Sequence, residues 1–144
     1  MSNTLLATMN ETRNELVEKR TVILSKIAQC REEIQSWESY LYGAEQQKAI
    51  ADLALVQAMK KQQELIAYSD SQTEKSQAVL DKIARLNEDV LAAQQKCEQE
   101  NKNIEGFKKP IALAKLQLKL EEANQASIEE ELRDIDNQIL TIRN

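Results

Sequence analysis

Over residues 4–41, apolar side chains return with a seven-residue period. Writing the heptad as abcdefg puts Leu6, Arg13, Arg20, Ile27, Ile34 and Leu41 at a, with Met9, Leu16, Ile23, Cys30, Trp37 and Ala44 at d. Ten of these twelve are apolar. A strand alternates with period two, so a stripe of this period belongs to an α-helix lying against another helix. The two exceptions, Arg13 and Arg20, occupy successive a positions. An arginine there either sets register and partner choice, or lays its stem along the seam with its head in water; the second is favoured.

The breaker residues argue the same way. Gly occurs twice and Pro once in 144 residues, too few for the turns that a sheet protein of this size needs. Ala, Glu, Lys, Leu, Gln and Ile dominate instead, most of them strong helix formers. Apolar residues make up 42%, which implies narrow stripes on helices and not a thick centre. The length fits one domain.

Four helices are expected within that single domain, 1–144. The first spans about 4–42 and ends at Gly43 in a left-handed cap. The second, 44–68, is weakly striped, with Ile50, Leu53, Val56 and Met59 in one partial line. Ser71 with Glu74 three residues on has the form of a capping box and starts the third, 71–105. The alternative is a single helix over 44–105, leaving three. Val79, Ile83, Leu86, Val90, Ala93, Cys97 and Ile104 carry the third stripe, with a lapse at Glu100. Gly106 and Pro110 then read as a helix–turn–helix joint. The last helix, 110–142, holds Ile111, Ala114, Leu118, Ile128, Leu132, Ile135, Ile139 and Ile142 on one stripe, broken at Glu121 and Gln125. Leu113, Leu116 and Leu120 make its first half apolar on more than one side, as in a helix with two neighbours. The expected fold is therefore all-α, an elongated antiparallel helical bundle or coiled coil of three to four long helices.

Lys19–Ile34 aligns without gaps on Lys75–Val90, offset by 56 residues or eight heptads. Either a helical hairpin is duplicated, or heptads drawn from few residue types look alike by chance; the second is favoured.

Charge and chemistry narrow the function. The net charge is −5, spread along the chain with no basic cluster, so the footprint of a nucleic-acid binder is missing. No stretch reaches the ~20 apolar residues of a membrane span, and the N-terminus lacks a signal-peptide pattern. The expected location is cytoplasmic, or inside a viral particle. With no histidine, the commonest general base and metal ligand is gone. Cys30 and Cys97 have no metal-site spacing and sit at core positions, where a thiol is usually inert. No catalytic residue, metal site or cofactor is expected.

Two features suit recognition. Trp37, Tyr40 and Tyr42 gather the only Trp and two of the three Tyr near one expected turn, either as an interface anchor or as a plug for the bundle end. On the last helix, Lys108, Lys109, Lys115 and Lys119 precede an acidic run in which Glu122, Glu129 and Asp136 fall at e. Lys75, Lys82 and Lys96 fall at g of the preceding helix, so e and g rows would meet in a parallel association between chains. The alternative is a solvated face or pairing with a third helix.

The reading is a non-catalytic coiled-coil interaction module, a structural, scaffold or assembly protein that binds protein partners and itself as a homo-oligomer. The alternative is a small soluble regulator, an export chaperone or phage-type inhibitor, gripping one target through its acidic or aromatic surface.

Overall fold

The computed structural model describes residues 2–144 and contains two helices, α1 over Ser2–Ser71 and α2 over Gln77–Arg143. No strand occurs among the described residues, and no helix there is long and apolar enough to cross a membrane. The all-α expectation holds, whereas the count of three to four helices is corrected to two.

Gly43 does not end a helix. No glycine among the described residues has positive φ, and a Cβ built on Gly43 would meet nothing within 4 Å. What carries α1 through it is the seam on either side. The a and d positions run on in phase from Leu41 and Ala44 through Lys48, Ala51, Leu55, Ala58, Gln62 and Leu65 to Ser69, all buried or half-buried. One interior glycine costs a helix about 1 kcal/mol, which packing on both sides outweighs.

The same holds at Gly106 and Pro110. Pro110 lies inside α2, where it removes one backbone hydrogen bond and costs about 3 kcal/mol. The carbonyl that loses its donor is four residues back, on Gly106, an exposed position where water can reach it. Ile104, Phe107, Ile111 and Ala114 keep the heptad phase across the site, and each is buried or half-buried. The expected joint is therefore a continuous stretch of helix.

The real break is Gln72–Ser76. Ser71 does not cap α2, because its hydroxyl donates to the Tyr68 carbonyl in the last turn of α1 at 2.6 Å. Ser76 is the cap: the Val79 amide donates to Ser76 Oγ at 3.2 Å, and the Leu80 amide donates to the Ser76 carbonyl at 3.1 Å. With two helices there is no second hairpin for a duplication to have produced. The similar stretches fall in α1 and at the start of α2, with Ile27 and Ile83 both at a.

The chain forms two compact units. In the first, α1 as far as Trp37 pairs with Pro110–Asn144. Leu16, Ile128 and Leu132 make its buried centre, flanked by Val17, Ile23 and Ile135, and Arg13 reaches Asp136. Those partners set the two helix segments antiparallel. Burial of a Leu or Ile side chain is worth about 1.5–3 kcal/mol.

The second unit, Glu38–Lys109, contains the turn. Tyr40 stacks on Phe107, Asp52 meets Cys97, and Gln62 donates to Asn87 at 2.6 Å, so here too the segments run antiparallel. On the α1 side its seam sets Leu41, Leu55 and Leu65 among small or polar residues: Ala44, Lys48, Ala51, Ala58, Gln62 and Ser69. Alanine offers a single methyl, worth about 0.8 kcal/mol by the usual increment per buried carbon.

Candidate functional site

In the second unit, α1 is apolar on the outside where its seam is poor. Ile50 is 61% exposed, Leu53 59% and Val56 61%, while Ala51 beside them is 3% exposed. The partial line of Ile50, Leu53, Val56 and Met59 is thus an outward-facing strip and not a core stripe. A helix apolar on both sides is one that expects a second neighbour. The first unit has a shorter strip of the same kind, Leu113, Leu116 and Leu120, each more than half exposed.

The aromatic residues do not stand at a chain turn. Trp37 is half-buried at d on the helix surface that forms the first unit. In the second unit, Tyr40 stacks on Phe107 with ring centroids 6.0 Å apart and 19° between planes, and Tyr42 is 65% exposed. No bundle end opens at Gly43, so the plug has nothing to close.

The acidic e row is divided in its roles. Glu122 is exposed, Glu129 Oε1 accepts from Gln125 Nε2 at 3.1 Å, and Asp136 Oδ1 accepts from Arg13 Nε at 2.6 Å. Asp136 is thereby committed within the chain. Arg13 stands at a with its side chain 43% exposed and its head held by Asp136.

Two polar insertions in the seam went unassigned in the sequence. Glu121, at d, is only 5% exposed; its Oε1 accepts from Gln117 Nε2 at 2.9 Å and its Oε2 has no partner. In the second unit, Lys48 Nζ donates to Asp52 Oδ2 at 2.8 Å, and Asp52 also accepts from the Cys97 thiol. The Lys48 bond lowers the Asp52 carboxyl below its ordinary value and raises the Lys48 ammonium above its own. Burial pushes the Cys97 thiol up, helped by the Asp52 bond, so it resists forming the reactive thiolate. The lapses at Glu121 and Gln125 marked the first of these in the sequence; the a position of Lys48, eight residues before Val56, was the only sign of the second.

Among the described residues, no three His, Cys, Asp or Glu side chains gather as a metal ligand set. What fold and surface define is a class: paired helices packed along a heptad seam, with apolar strips left facing outward. No family model matches the chain, and no curated protein or solved structure shows significant similarity to it.

Proposed function

We propose that this chain is a non-catalytic structural protein, an interaction module that scaffolds or assembles a larger complex by binding helices, copies of itself among them. The outward strip of Ile50, Leu53 and Val56 carries this reading. Three large aliphatic side chains about 60% exposed, across the helix from a seam of Ala51, Leu55 and Ala58, make a second apolar face that an isolated pair would leave in water. The lack of histidine and the raised Cys97 thiol agree with a non-catalytic role.

The test is the absolute mass and hydrodynamic radius of the purified chain across a range of concentrations. A discrete oligomer supports assembly as the function. A monomer of 16.4 kDa at every concentration would favour the small soluble regulator instead. Tyr42, 65% exposed with a polar tip, is the residue that favours this second reading.

A further inference from the structure

We propose that the outward face of α1 in the second unit, centred on Leu53, is the docking surface for a second copy of the chain, packed antiparallel across a two-fold axis at Leu53. The inference rests on the assembly reading above and names the surface that would serve it.

Helical geometry decides the orientation. Successive residues advance about 100° around the axis and about 1.5 Å along it. Ala49 and Val56 therefore share one flank of Leu53, about 6 Å before it and about 4.5 Å after it. Glu45 lies farther round on that flank, about 12 Å before Leu53, and Lys60 lies nearly in line with Leu53, slightly toward the same flank and about 10.5 Å after it. An antiparallel two-fold keeps each flank on its own side and exchanges the two ends. Leu53 then meets Leu53 of the second copy, and Ala49 meets its Val56. Glu45 meets its Lys60, and symmetry repeats each of these contacts. A parallel pairing keeps the two copies' ends at equal heights, so Glu45 of one copy and Lys60 of the other would stay more than about 20 Å apart. Ile50 lies on the other flank and adds apolar area there. Glu45 and Lys60 are both exposed, and every residue named belongs to the same unit.

The experiment is sedimentation equilibrium of the full-length chain and four variants, with far-ultraviolet circular dichroism to confirm unchanged helicity. Leu53→Glu should raise the concentration needed for self-association at least tenfold. Glu45→Lys and Lys60→Glu should each weaken association several-fold. The double reversal E45K/K60E should restore it, because the charges again oppose each other in the antiparallel arrangement and only there. All three positions are exposed, so folding is not at stake. Association that ignores Leu53→Glu would overturn this surface while leaving the assembly reading standing. A double variant no better than the single ones would overturn the antiparallel pairing. A chain monomeric at all concentrations would overturn the surface and self-assembly together.

Discussion

Arg13 and Asp136 lie 123 residues apart in sequence and 2.6 Å apart in space, through Arg13 Nε and Asp136 Oδ1. The contact ties an a position of α1 to an e position of α2 and keeps both charged groups nearly half exposed. Water therefore screens the pair. Asp136→Asn should lower the unfolding free energy by no more than about 1 kcal/mol, and the difference should shrink as salt is raised. Denaturant titrations at low and high ionic strength check it. A loss above about 2 kcal/mol, insensitive to salt, would mean that the pair fixes the register of the first unit.

Glu121 presents the opposite case. Its carboxylate is enclosed, with one oxygen bonded to Gln117 and the other to nothing. An unsatisfied buried polar atom costs about 1–3 kcal/mol, and more when charged. Glu121→Leu should raise stability by about 1–3 kcal/mol and shift the thermal midpoint upward. A destabilised variant would show that the carboxylate finds a partner in the assembled protein.

The glycines test the helix count directly. At a left-handed cap, alanine would be strained and destabilising. In a continuous helix with open space around it, as at Gly43 and Gly106, alanine stabilises by about 0.5–1 kcal/mol. Gly43→Ala and Gly106→Ala should each raise the midpoint of denaturation. A loss of stability at either would restore a helix end there.

The Lys48–Asp52–Cys97 cluster shapes the pH profile. Cys97 and Lys48 are raised above their ordinary 9.0 and 10.5, so their contribution is complete below those values and lost as pH climbs through the raised ones. Asp52 is lowered below 3.8, so its contribution is complete above that value and lost as pH falls through the lowered one. Stability should thus be level between about 4 and 9 as far as this cluster is concerned, and decline above 9. Cys97→Ala should flatten the first part of the alkaline decline. Parallel curves for variant and parent between pH 8 and 10.5 would exclude the thiol as its source.

Much of the fold was legible. The heptads of 4–41, 79–104 and 111–142 identified the seam, and Leu16, Ile27, Val90, Ile128 and Leu132 are buried where that period places them. The misreadings came from residues that usually punctuate helices. Gly43, Gly106 and Pro110 read locally as ends, although Leu41 and Ala44 stand in phase with Ala51 and Leu55, and Ile104 with Ile111. Over 44–69 the period is hidden because Leu55 and Leu65 stand in a seam otherwise of Ala, Lys, Gln and Ser, while Ile50, Leu53 and Val56 lie outside. A search for apolar residues finds the outer strip first.

Composition and period by themselves determined that this chain is helical and which side of most segments turns inward, because helix propensity and a repeat near 3.5 are properties of the local chain. They did not determine how many helices form or what lies opposite what. A glycine or proline costs about 1–3 kcal/mol locally, and whether that ends a helix depends on packing gained from residues far away in sequence. The tertiary structure decided that Gly43 and Pro110 stay helical, that Ser76 and not Ser71 caps α2, that Asp136 belongs to Arg13, and that Ile50, Leu53 and Val56 face outward. All but the cap, a local bond to an amide three residues on, depend on a partner that only folding brings near.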